Sequence, residues 1–271
     1  MNPKGEEMNN KKNSDAEGYS DLESYDQERR TTSERLKNRE QLYKLFNERP
    51  IPDEQLMVSL GLYTRSSALS KMLYINELYQ LMLNIPGVIM EFGTWWGQNI
   101  ILFENLRGIY EPFNHDRRII GFDTFEGYPV ISDKDVESGI IKKGGYTTSS
   151  GYMEYLNKLI DYHERENVLY FKRKHKLIKG DISETIPKFF EDEPHTIVAL
   201  AYFDLALYEP SKVCFETIRP HLIKGSVIAL DEINNPDYPG ETIALKETWG
   251  LNIGKIIRSK FMPGRAYLIV D

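Results

Sequence analysis

The sequence predicts an α/β protein with a mostly parallel sheet, preceded by a helical extension and closed by an antiparallel hairpin strand. Three observations predict it. From Gly87 onward, short apolar runs alternate with helix-like stretches, the order that sets parallel strands beside crossover helices. The first run, Val88–Phe92, passes through Gly93-Thr-Trp-Trp-Gly97 into the apolar stretch Asn99–Leu106, which reads as strand, glycine turn and helix. Acids then close successive strands: Glu91, Asp123, Asp181, Asp204 and the Asp231-Glu232 pair. In a parallel sheet these ends share one rim, where α/β proteins bind ligands.

The elements follow in order. Residues 1–28 are polar with almost no aliphatic side chains, so they are expected to form a disordered tail. Residues 29–85 read as a helical extension. Ser33–Phe46 places Leu36, Leu42, Leu45 and Phe46 near one face, and Pro50 and Pro52 end it. Ser66–Leu83 is a second helix, with Ser66 or Ser67 as its cap. Its many apolar residues imply that it covers the sheet or pairs with a second copy. Strands are expected at Val88–Phe92, Arg118–Phe122, Lys176–Lys179, Ile197–Phe203 and Ser226–Leu230, with a hairpin from Lys255–Lys260 and Ala266–Val270 around Pro263-Gly264. Tyr128–Asn167 is too long for a plain loop and reads as a lid-like insert. The basic run Lys172–Lys176 could hold an anionic partner, but a solvated strand edge is the favoured reading.

Composition narrows the function. The net charge is −7 and the pI is near 5.4, a balance that gives no general affinity for nucleic acid or anionic membrane. The one cysteine, Cys214, excludes an internal disulfide framework and a cysteine-rich zinc site. No apolar run approaches the ~20 residues of a transmembrane helix, and the N-terminus lacks the apolar centre of a signal peptide. A cytoplasmic protein is expected.

The rim residues carry the chemistry. Glycines at 93 and 97 allow a close approach of main chain to ligand. Asp123 is placed to meet ribose hydroxyls, while Asp181 can meet an adenine amino group or cap the helix after it. Asp204, Asp231 and Glu232 are hard oxygen ligands on neighbouring strands, and that set suits Mg²⁺.

Several segments together resemble the macrocin O-methyltransferase (TylF-like) family of S-adenosylmethionine-dependent enzymes. They are Pro86–Gly97, Gly121-Phe-Asp-Thr-Phe-Glu-Gly-Tyr-Pro129, Lys179-Gly-Asp-Ile-Ser-Glu-Thr-Ile-Pro187, Phe203-Asp-Leu-Ala-Leu-Tyr-Glu-Pro210 and Leu230-Asp-Glu232. The resemblance implies a Rossmann-like seven-stranded sheet that binds S-adenosylmethionine, commonly with Mg²⁺. It implies that Glu91, Gly93, Thr94 and Gly97 line the methionine part of the cofactor. Asp123, with Thr124 and Phe125, would hold the ribose, and Asp181 would lie by the adenine. Asp204 would border the cofactor and join Asp231 and Glu232 as metal ligands.

One position departs from the family. Its pattern after the fourth strand is typically Asp-x-Asp-x-Tyr, and the second Asp can act as general base. Here Asp204-Leu-Ala-Leu-Tyr208 puts Ala206 in that place. Metal coordination alone, a substitute such as Tyr208, Asp237, Tyr238 or Tyr146, or an acceptor that is already ionised would each answer the gap. The expected activity is thus methylation of a sugar hydroxyl, or of an acidic oxygen, on a small polar acceptor such as a nucleotide-linked sugar. A cephalosporin hydroxylase-like enzyme or a non-catalytic cofactor-binding protein are the alternatives on the same fold. A dehydrogenase is disfavoured, because Gly93–Gly97 lacks the Gly-x-Gly-x-x-Gly fingerprint.

Overall fold

The computed structural model describes residues 32–136 and 141–271. The expected tail, residues 1–28, lies outside them. Eight α-helices and seven strands are present among the described residues. The extension holds α1 (Ser33–Asn47), the short α2 (Asp53–Leu56) and α3 (Ser66–Met82). Then follow β1 (Val88–Phe92), α4 (Gln98–Tyr110), β2 (Ile119–Asp123), α5 (Tyr152–Glu166), β3 (His175–Lys179), α6 (Ile182–Asp192), β4 (Val198–Phe203), α7 (Tyr208–Ile218), β5 (Leu222–Leu230), α8 (Gly240–Thr248), β6 (Gly254–Arg258) and β7 (Ala266–Val270).

The strands form one sheet in the order β3-β2-β1-β4-β5-β7-β6. β7 alone runs against its neighbours, pairing antiparallel with both β5 and β6, so the expected hairpin strand is observed. β1 lies between β2 and β4, and every residue of it is buried. A continuous apolar run is what a strand covered on both faces requires. Met90, Phe92, Phe122 and Phe203 pack with α6, α7 and α8 on one face. Ile89, Ile119, Leu200 and Tyr202 pack with α3, α4 and α5 on the other.

α3 therefore covers the sheet, burying Tyr74, Ile75, Leu78, Tyr79 and Met82. Its cap differs from the serine expected: Arg65 holds the N-cap without a side-chain bond, and Ser66 and Ser67 fall inside the first turn. α1 buries no residue. No described helix is long and apolar enough to cross a membrane.

Two further readings are corrected. The insert is shorter than residues 128–167, because Tyr152–Glu166 is the crossover helix α5 between β2 and β3, burying Leu156 and Ile160. Its high apolar periodicity is a packing signal, and the true excursion ends near Gly151. The basic run is also only partly solvated. Lys174 and His175 are buried, because Glu164 of α5 neutralises them. Lys174 Nζ lies 2.5 Å and Arg107 Nη2 2.7 Å from Glu164 Oε1, and His175 Nδ1 lies 3.3 Å from Glu164 Oε2. Arg107 also pairs with Glu104. This network sits at the amino end of β3, away from the carboxyl rim.

Candidate active site at the carboxyl rim

The turn after β1 holds the site's backbone framework. Gly93 has φ +91° and Gly97, the N-cap of α4, has φ +75°, conformations open to glycine at little cost. A Cβ on Gly93 would strike the backbone carbonyl of Asp204, and one on Gly97 would strike Leu156. The Gly93 N–H donates to Phe122 O at 3.0 Å, and Thr94, buried, does so at 3.3 Å. The turn is thus bonded to the end of β2.

Asp123 braces two loops at once. Its Oδ2 accepts from the Trp95 N–H at 2.7 Å and its Oδ1 from the Phe125 N–H at 2.6 Å. Both donors belong to residues with positive φ, Trp95 at +48° and Phe125 at +55°. Burial pushes the Asp123 carboxyl up and the two N–H donors oppose it. Each carboxylate oxygen keeps a second lone pair for a ligand. Thr124 Oγ1 donates to Gly127 O at 2.8 Å, closing the next turn. Asp181 is the N-cap of α6, its Oδ1 accepting from the Ser183 N–H at 2.9 Å; of its two expected roles the cap is observed.

Glu91 is 1% exposed. Its Oε2 has no hydrogen-bond partner among the described residues. Burial holds this carboxyl well above the usual range, against a hydrogen bond from Asn99. A buried oxygen without a donor, next to a partly exposed glycine turn, fits a cationic ligand group.

The expected metal ligands lie together but are differently engaged. Asp204 is half-exposed, 3.8 Å from Lys71 Nζ. Asp231 is buried and gripped by Arg265, whose Nε meets Oδ1 and whose Nη2 lies 2.6 Å from Oδ2. The Tyr202 hydroxyl donates to the same Oδ1 at 2.5 Å. Burial opposes ionisation of Asp231, but Arg265 outweighs it and holds the carboxyl low. Glu232 accepts from Asn235 Nδ2 at 2.5 Å. Burial, then repulsion from Asp231, raises it to about 7.

Glu241, fully buried at the start of α8, joins them. Its Oε1 accepts from the Glu232 N–H at 3.3 Å, and its Oε2 has no partner among the described residues. Among the described residues, the only three candidate ligand atoms within 4.8 Å of one another belong to Glu104, Glu164 and His175, where Arg107 and Lys174 already supply the positive charge. The oxygens of Asp204, Asp231 and Glu232 do not converge that closely.

Around the gap at residue 206, Ala206 takes φ +61°, a conformation that Asp and Asn tolerate better than alanine. Tyr208, a candidate for the missing base, turns its hydroxyl to Glu247 Oε2 at 2.6 Å, with Lys134 Nζ 3.9 Å from its ring centre. It braces α7 to α8. The Tyr208 N–H donates to Asp135 Oδ1 at 2.8 Å, which ties the insert to α7. At the insert's neck, the Tyr128 N–H donates to Gly145 O and the Gly144 N–H to Tyr128 O, both at 2.9 Å.

Sequence reasoning missed Arg265, Lys71 and Glu241. The signal for Arg265 was strand register: Leu230 pairs with Ala266, so Asp231 and Arg265 must be neighbours. Lys71 and Glu241 stand on helices whose rotation the sequence leaves open.

No family model matches the sequence, and a search of curated proteins finds no match. Solved structures do. The chain is similar to CalS11, described as a calicheamicin methyltransferase, at 40% identity over 88% of this chain and 93% of that one, with a TM-score of 0.85. An apo structure of CalS11, described as a TDP-rhamnose 3'-O-methyltransferase of calicheamicin biosynthesis, matches at 39% identity over 88% and 95% of the chains, with a TM-score of 0.78. The O-methyltransferase NovP shares the fold at 16% identity over 74% and 79%, with a TM-score of 0.56.

Proposed function

Because this chain belongs to the S-adenosylmethionine-dependent O-methyltransferases, we propose that it methylates a sugar hydroxyl in glycan or natural-product biosynthesis, with Mg²⁺ at the acid rim. The observation that carries the reading is 40% identity to CalS11 across nearly all of both chains. That protein's description as a TDP-rhamnose 3'-O-methyltransferase makes a nucleotide-linked deoxyhexose the first acceptor class to test. Narrower kinship with macrocin-type enzymes is part of the same proposal, supported by the motifs at 121–129, 179–187 and 203–210.

S-adenosylmethionine supplies a methyl group activated by a sulfonium. The chain's task is to orient it and the acceptor oxygen in line. Glu91 offers its orphaned oxygen to the cofactor's ammonium group, and Asp123 offers its remaining lone pairs to the ribose. Asp181 keeps its cap and faces the adenine side. Mg²⁺, when bound, lowers the pKa of an acceptor hydroxyl.

The charge balance supports a cation. Beyond burial, the charges of Asp204 and Asp231 raise the proton affinity of both Glu232 and Glu241, with Arg265 and Lys71 as the nearby positive groups. Asp204 and Glu232 would hold the ion, and Asp231 would join them as Arg265 gives way. Asp204 is also the carboxylate supported as proton acceptor, half-exposed beside the Gly93 turn, since Ala206 can take no proton. The same concentration of acids disfavours an ionised oxygen as the methyl-accepting atom itself, which would meet Coulomb repulsion there.

The test is transfer of labelled methyl from S-adenosylmethionine to TDP-rhamnose, with Mg²⁺ and with excess chelator. A labelled sugar formed only with Mg²⁺ is expected. Transfer confined to carboxylic or phosphoric acids would overturn the sugar reading.

A further inference from the structure

Three phenols meet beside the glycine turn at the carboxyl rim, each from a segment outside the sheet. Tyr128 and Tyr146 come from the insert and Tyr238 from the loop between β5 and α8. The Tyr146 and Tyr238 hydroxyl oxygens lie 3.3 Å apart. The Tyr146 ring lies 5.3 Å from Tyr128 and 5.6 Å, edge to face, from Trp95 of the glycine turn. The Trp95 N–H donates to Asp123 at the end of β2, which puts the group at the carboxyl rim. Tyr146 is held at φ +58°, a strained conformation for an aromatic residue and one that gathers at functional sites.

Packing alone would be met by phenylalanine. Tyrosine adds hydroxyls that both donate and accept, next to carboxylates expected to receive an acceptor oxygen. A hexose presents adjacent hydroxyls around its ring and an apolar C–H face. Phenols match the first and aromatic faces the second. We propose that Tyr146 and Tyr238 are specificity-determining residues whose paired hydroxyls bind two adjacent hydroxyls of the acceptor sugar, with the rings of Tyr128 and Trp95 bounding that space. This rests on the sugar-acceptor reading above.

The experiment measures kcat and KM for TDP-rhamnose, with cofactor affinity by calorimetry, in the wild type, Tyr146→Phe, Tyr238→Phe and the double variant. Each ring stays, so folding is preserved, and the cofactor Kd serves as the control for it. Each single change is expected to raise acceptor KM roughly 5- to 10-fold while kcat stays within about 2-fold, as loss of a neutral hydrogen bond predicts. The double variant should show less than the product of the two, since the hydroxyls act as a pair. Wild-type transfer with unchanged KM in both single variants would overturn this inference and leave the function standing. Absence of transfer to any sugar by the wild type would overturn the function and this inference with it.

Discussion

Replacing Glu91 with Gln should weaken cofactor binding in a pH-dependent way. A charge-assisted hydrogen bond to an ammonium group is worth roughly 1.5–3 kcal/mol, or about 10- to 150-fold in Kd. Part of that is offset in the wild type. Burial holds the Glu91 carboxyl well above the usual range, so below that raised pKa it must lose a proton before it can pair. Each pH unit below it costs about 1.4 kcal/mol. The sign follows: wild-type affinity rises as pH rises through the free protein's Glu91 pKa, then levels off, while the Gln variant stays flat. The gap between them should therefore widen as pH rises from the ordinary carboxylate range toward that raised pKa. Calorimetry in two buffers of different ionisation heat counts the protons released. Equal Kd values for both proteins, with no proton release in either, would refute the argument that Glu91 meets the ammonium.

Other outcomes follow from the same structure. Gly93→Ala forces a Cβ onto the Asp204 carbonyl at positive φ, a strain of roughly 1–3 kcal/mol; cofactor Kd should rise more than about 10-fold, read by the same titration. Glu164→Ala strands Lys174 and Arg107, both 2% or less exposed, and should cost roughly 3–5 kcal/mol in urea unfolding. In the wild type, Glu164's carboxyl sits below its usual range, burial notwithstanding, because His175 and Lys174 bond to it. The stability it contributes is present above the usual carboxylate pKa and fades as pH falls. Arg265→Met frees Asp231 for a cation, so Mg²⁺ should raise the melting temperature more in this variant than in wild type, measured by scanning calorimetry.

Much of the fold was legible because its strands are short apolar runs that end on acids. β1 and β7 fall where the pattern puts them, and the acids do share one rim. Legibility stopped where partners are distant in sequence. Lys174 reads as surface until Glu164 of α5 lies beside it. Asp231 reads as a bare ligand until the hairpin register delivers Arg265. The insert absorbed α5 because Tyr152–Glu166 follows a polar stretch, although its buried stripe at Leu156 and Ile160 was visible as a helical period. Ala206 reads as a missing proton acceptor, but its left-handed backbone has no signature in an alanine.

The neck at Tyr128, Gly144 and Gly145 has a consequence for engineering. Because the main chain is fastened to itself there, the chain enters and leaves the 129–143 stretch at neighbouring points. Chain-closure entropy changes only slowly with the length of such a stretch, and it is tied to the domain by Asp135, which accepts from the Tyr208 N–H, and by Lys134, which pairs with Glu247. A graft at the neck that keeps Lys134 and Asp135 can therefore differ in length or composition elsewhere, and acceptor preference be retuned, with the bracing of α7 and α8 preserved.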